Sequence, residues 1–150
     1  MRLQISLLLL LILSISSVFA DNAVQIRNAW INEAPPTVQV VAAYMDIRNN
    51  SDKDIDLVSA SSPEFERIEF HVTNIENGIA RMQMQKTISI PAKSSFSFSP
   101  GNYHLMLFNG KKNLLAGDSV FLKLTFSDGQ IVIINAEVKR ADITAEHHHH

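Results

Sequence analysis

Short runs of alternating apolar and polar residues, each closed by turn residues, fill the chain from Val24 to Val138. Val24 to Ile31 opens the series and carries the only Trp, Trp30. Glu33-Ala34-Pro35-Pro36-Thr37 is a stiff break, because two prolines donate nothing to a ladder. Val38 to Arg48 predicts a longer strand closed by the turn residues Asn49-Asn50-Ser51-Asp52, and Ile55 to Ala60 a third, ended by Ser61-Ser62-Pro63. Arg67 to Thr73 alternates Ile68, Phe70 and Val72 against Glu69, His71 and Thr73. Asn77-Gly78 is a two-residue hairpin signal from which Ile79 to Met84 returns. Thr87 to Ile90 and Ser95 to Phe98 flank Pro91-Ala92-Lys93. After the turn Pro100-Gly101-Asn102, a strand from Tyr103 to Phe108 sets Tyr103, Leu105 and Leu107 on one face and His104 and Met106 on the other. Val120 to Phe126 and Ile131 to Val138 complete the series across Asp128-Gly129, a second tight hairpin.

No stretch after the first twenty residues carries a helical period. Strands at short intervals predict one all-β domain, an antiparallel β-sandwich of Greek-key type, with no internal repeat and no linker. The first twenty residues stand apart. Arg2 followed by the apolar run Leu3 to Ile15, then Val18-Phe19-Ala20, reads as a signal peptide covering residues 1–20, cleaved to leave a chain starting near Asp21. The apolar run is shorter than the roughly 20 residues a membrane-spanning helix needs. The expectation is an exported, periplasmic domain over residues 21–146, with no stable membrane insertion after cleavage. There is no Cys, so neither disulfides nor lipid attachment at a cysteine are available, and stability must come from burial and sheet hydrogen bonds. The net charge of -2 and the scarcity of adjacent basic residues argue against nucleic acid or an anionic membrane as partner.

Candidate chemistry is confined to few side chains. Outside the terminal run the histidines are His71 and His104, both on strand faces opposite the apolar alternation. Met82 and Met84 share one face of the hairpin return, and Met106 follows His104 by one pleat period. Each has a plainer reading by itself: a lone His on a strand face is usually solvated, and a Met in a β protein is usually core filler, the role expected of Met45. Taken jointly, His71, Met82, His104 and Met106, with Met84 in reserve, form a soft to borderline donor set suited to Cu(I). Zinc and calcium favour other donors, and the blue-copper arrangement needs a thiolate this chain lacks. That argues for metal binding without redox turnover.

Ten residues separate His71 from Met82, twenty-one separate Met82 from His104, and one separates His104 from Met106. This spacing resembles the signature of the periplasmic copper chaperones of the PCu(A)C family. Ala29-Trp30, Ala34-Pro35-Pro36, Ala42-Ala43-Tyr44, Ser59 to Pro63, Glu76-Asn77-Gly78, Ile90-Pro91-Ala92 and Gly101 to Leu107 resemble further landmarks of that family. The resemblance implies a cupredoxin-like sandwich, Cu(I) at an exposed site, and delivery towards the copper centres of cytochrome c oxidase through exported donor or acceptor proteins. Many members carry extra Met residues just after the first His, where this chain has Val72 and Thr73. Copper and protons compete for imidazole lone pairs, so affinity is expected to fall as pH drops into the range where imidazole protonates.

Two rival readings are weighed against this one. Glu64, Glu66 and Glu69, or Asp54 and Asp56, invite an enzyme reading, but alternate charges more often line the solvated face of a half-buried strand. No nucleophile elbow or zinc-protease helix is present, so no enzymatic activity is expected. A β-sandwich interaction module would bind no stoichiometric metal, and copper storage or resistance is compatible with the same donors. His147 to His150 form either a purification tag or a native His-rich tail that gathers Cu(II), and bind metal independently in both cases.

Overall fold

The computed structural model describes residues 23–140. The signal peptide assigned to residues 1–20 and the terminal run His147 to His150 lie outside them. Ten strands run in chain order: β1 (Val24–Asn32), β2 (Val40–Asn49), β3 (Ile55–Ser61), β4 (Phe65–Glu76), β5 (Ile79–Gln85), β6 (Ile88–Ile90), β7 (Ser95–Phe98), β8 (Tyr103–Gly110), β9 (Ser119–Phe126) and β10 (Ile131–Lys139). They follow the sequence pattern closely, and every regular element among the described residues is a strand. β4 outruns its predicted length at both ends, because Phe65 joins the core and the hairpin arm stays paired up to its turn.

The hydrogen-bonded order is β5-β4-β8-β2-β1-β10-β9-β3-β6, with β7 sharing one flank of β2 with β8. All pairings are antiparallel except β1 with β10, which run parallel through Trp30↔Glu137 to Asn32↔Lys139. Apart from β1 to β2, β4 to β5 and β9 to β10, each connection passes to a strand that is not a hydrogen-bonded neighbour, which is Greek-key-type winding. One core cluster joins Phe70, Leu105, Leu107 and Ile47 to Leu57, Leu122, Leu124 and Phe126, so the strand path folds over into two facing layers. β9 shows the driving pattern most clearly. Val120, Leu122, Leu124 and Phe126 are buried while Ser119, Phe121 and Lys123 face out. Each buried leucine contributes roughly 2 kcal/mol of transfer free energy, which holds the strands that carry the candidate donors.

Of the two expected hairpin turns, the one at Asn77-Gly78 joins the donor-bearing strands β4 and β5. Asn77 and Gly78 both take positive φ, 52° and 76°, the mirror-image turn expected of a two-residue hairpin. Asp128-Gly129 belongs instead to a three-residue loop, since Phe126 and Gln130 close it and Gly129 N–H donates to Phe126 O.

Asp46 ties three strands together. Its carboxylate accepts from Ser97 Oγ on β7 (2.6 Å) and from Asn28 Nδ2 at the β1 bulge (2.8 Å). These bonds, that of Ser97 first, hold its carboxyl below the ordinary 3.8. A depressed carboxyl stabilises the fold fully above its unfolded value and loses that contribution as pH falls through the lower folded value. Asp46→Asn should therefore lose less thermal midpoint than the parent between about pH 5 and about pH 3. Equal acid slopes in a melting series would contradict this role.

Candidate metal centre

The face of β8 opposite Leu105 and Leu107 carries His104 and Met106, as the alternation predicts. The cross-strand register then fixes their neighbours. His71 on β4 lies directly opposite His104, and Glu69 opposite Met106. On the outer side, Met84 of β5 lies opposite His71, and Met82 opposite Thr73. On the inner side, Ala42 of β2 lies opposite Met106. All the candidate donors therefore belong to one face of β5-β4-β8.

Met82, His104 and Met106 line a cleft of about 260 Å³, whose other walls are Val40, Val41, Ala42, Tyr44, Thr73 and Gly101. Tyr44 is braced by Trp30, their ring centroids 4.6 Å apart. Gly101, at φ 79°, belongs to the turn that launches β8 and lets the chain enter the strand beside the cleft. The His71 ring, itself outside the cleft lining, faces that of His104 with centroids 6.0 Å apart and planes inclined by 30°. Met84 is 63 % exposed and outside the cleft lining.

Hydrogen bonds assign a free nitrogen to each imidazole. His104 Nδ1 lies 3.0 Å from the Asn102 carbonyl, which can only accept, so Nδ1 carries the proton and Nε2 keeps its lone pair. The same carbonyl accepts from Thr73 N–H, which fixes the turn to β4. His71 Nε2 lies 2.9 Å from a Glu69 carboxylate oxygen and donates to it. His71 Nδ1 is left buried with no hydrogen-bond partner. A buried acceptor without a donor is costly unless something else occupies its lone pair. A soft cation would do so.

The support behind His71 extends further. The Arg67 guanidinium sits 3.8 Å over the Phe108 ring centroid and donates to Glu69 through Nε at 2.9 Å. The hydrogen bonds from His71 and then Arg67 hold the Glu69 carboxyl below its usual range, so it remains an acceptor. Alternation alone left Glu69 as a solvated carboxylate; its proximity to His71 two residues on was the available signal.

The expectation of an exposed site fails at the imidazoles. His104 does point away from the main core, but it is only 5 % exposed, because the cleft walls cover that face. The side chain of His71 is 14 % exposed. Exposure belongs to Met82, at 64 %. Its strand lacks an apolar face because β5 is the sheet edge and almost wholly solvated. Met45 is core, as expected. Among the described residues no three His, Cys, Asp or Glu side chains form a metal-holding group. The carboxylates considered for catalysis are dispersed, Asp54 accepting from Ala92 N–H and Glu66 from Asn109. What the face offers is two imidazole nitrogens and three thioethers, two of them in the cleft, a set that fits Cu(I) and fits harder cations poorly.

Comparison with known proteins places the chain in a family. Residues 24–138 match the family described as LpqE-like ("Putative lipoprotein LpqE-like"). "Putative lipoprotein Lxx21020" of Leifsonia xyli is 33 % identical over 119 residues, covering 79 % of this chain and 70 % of the relative. The uncharacterised RP573 of Rickettsia prowazekii is 31 % identical, covering 79 % and 68 %. The solution structure of the Cu(I) form of DR1885 from Deinococcus radiodurans superposes with a TM-score of 0.67 at 29 % identity, covering 85 % of each chain. The copper-bound PCuAC domain of PmoF2 superposes at 0.68, covering 79 % of this chain and 93 % of that domain, with 22 % identity, a likeness of fold. The chain belongs to the LpqE-like family and has the cupredoxin-like β fold of PCuAC copper chaperone domains.

Proposed function

We propose that this protein is an exported, periplasmic copper chaperone that binds one Cu(I) through His71, Met82, His104 and Met106 and hands it to a copper-accepting protein, in the assembly of cytochrome c oxidase copper centres. The observation that carries the reading is the pairing of two imidazoles whose remaining nitrogens have no other work, one of them buried and unpartnered, beside a cleft that holds two thioethers. The copper-bound relatives and the apolar leader-like start of the chain support cargo and export respectively.

Each donor has a separate part. The imidazoles are held by Asn102 and Glu69, each with its second nitrogen left free. The thioethers are neutral donors that bind without losing a proton. Met82, on the exposed edge, is the donor an acceptor protein reaches first. The cleft volume exceeds the roughly 30 Å³ share of one water several-fold, leaving room for an incoming ligand beside the ion. Cargo then moves by ligand exchange, with no bond made or broken in a substrate, and no catalytic residue is assigned.

The test is an anaerobic titration of Cu(I) against a competing chelator, with His147 to His150 removed because they bind metal themselves. One tightly bound equivalent is expected. Met106→Leu, nearly constant in volume, should weaken binding roughly tenfold while leaving the melting midpoint in place. No binding above chelator competition would return the chain to a non-metal interaction module.

A further inference from the structure

β5 and β6 are the two ends of the strand path, and they differ sharply. β6 spans three residues, with Ile88 and Ile90 buried. β5 spans seven, six of them exposed, with no Pro, no bulge against β4 and one charged residue, Arg81. Natural sheets usually blunt so long an edge with prolines, bulges or several charges. Among the described residues nothing pairs with this one, which lies beside the proposed copper site.

The hairpin fixes which groups the open edge presents. A two-residue turn closes on a hydrogen-bonded pair, here Glu76 and Ile79. Alternation makes Asn74/Arg81 and Val72/Gln83 bonded pairs as well. Ile75/Ala80, Thr73/Met82 and His71/Met84 are then the non-bonded pairs. Thr73 bears this out, since its N–H turns away from β5 and donates to Asn102 O at 3.2 Å. Ala80, Met82 and Met84 consequently direct their own N–H and C=O groups out of the sheet. Their side chains lie on the face that carries His71 and His104.

We propose that the open edge of β5 pairs antiparallel with β5 of a second copy of this chain, centred on Met82, so that copper passes between copies through facing thioethers. In that register Met82 meets Met82 and Ala80 meets Met84, using all three outward-facing residues. Ile79 then meets Gln85 and Arg81 meets Gln83, so no like charges are opposed. The edge is thus complementary to itself. A chain net charge of -2 adds little repulsion. One strand pair buries less surface than a standard stable interface, so the association is weak and reversible. The copper-transfer part rests on the proposed Cu(I) site, whereas the pairing does not.

Gln83 provides the test, since it points away from the donors and lies opposite Arg81 of the second copy. Sedimentation of the apo protein over a concentration series should show reversible dimerisation. Gln83→Arg, which opposes two pairs of like charges by symmetry, should weaken it roughly fivefold, and Gln83→Glu should strengthen it. Copper exchange from a loaded copy to an isotope-labelled apo copy, followed by NMR, should change in the same order. A monomer at every concentration, or equal effects of the two substitutions, overturns the pairing; pairing solely with another protein's strand does so too. Exchange that ignores both substitutions overturns the transfer. Because association is read without copper, its failure is distinct from failure of the Cu(I) titration.

Discussion

Cu(I) affinity should fall by at least roughly 100-fold in His104→Ala, more than the loss of a group that merely supports a metal ligand. The substitution removes the nitrogen donor most firmly placed by the fold. His104 is covered by the cleft walls, and the Asn102 carbonyl fixes its Nδ1 proton, leaving Nε2 as the free nitrogen. Its loss leaves His71 with two thioethers, of which Met82 is solvated. The measurement is competition against a Cu(I) chelator, with circular dichroism of the apo variant to show that the sheet persists. The core face of β8 is untouched, since Leu105 and Leu107 remain buried. Unchanged affinity in a folded variant would refute the four-donor site.

Asn49→Leu should cost at least about 3 kcal/mol and lower the melting midpoint by roughly 10 °C, with no effect on copper stoichiometry. Asn49 is fully buried at the end of β2. Its amide donates to the carbonyls of Lys53 (2.8 Å), Ile90 (3.1 Å) and Pro91 (3.2 Å). Its oxygen accepts from Ser51 N–H (2.9 Å) and Ser51 Oγ (2.7 Å). Leucine keeps the branching at Cγ, removes every one of these bonds and adds bulk that a fully buried site must absorb. Unpaired buried groups cost about 1–3 kcal/mol each, and several are created together. A loss below about 1 kcal/mol would mean that those groups find water instead.

The same residue marks where sequence reading stops. By type and neighbours, Asn49 belongs to a turn, and the chain does bend just after it, at Ser51 to Lys53. Its role as a clamp depends on Ile90 and Pro91, more than forty residues away, which no local pattern encodes. Strands were legible because alternation is local, and the Asn77-Gly78 hairpin because positive φ at two successive positions selects those residue types. The face of His104 followed from Leu105 and Leu107, whereas its burial required Tyr44, Thr73 and Met82 to be brought over it. The parallel pairing of β1 with β10 was equally out of reach, since alternation specifies a strand's faces and not its neighbour. Glu69 was visible as a carboxylate, but the chain from Phe108 through Arg67 and Glu69 to His71 needs four side chains in one geometry.

The 64 % exposure of Met82 has a chemical consequence. Peroxide oxidises an accessible thioether to a sulfoxide, which no longer offers Cu(I) a soft sulfur lone pair. His104, nearly enclosed, and the partly covered Met106 are shielded by comparison. Oxidative damage to the proposed site would therefore begin at Met82, and a methionine sulfoxide reductase could reverse it there without unfolding the domain.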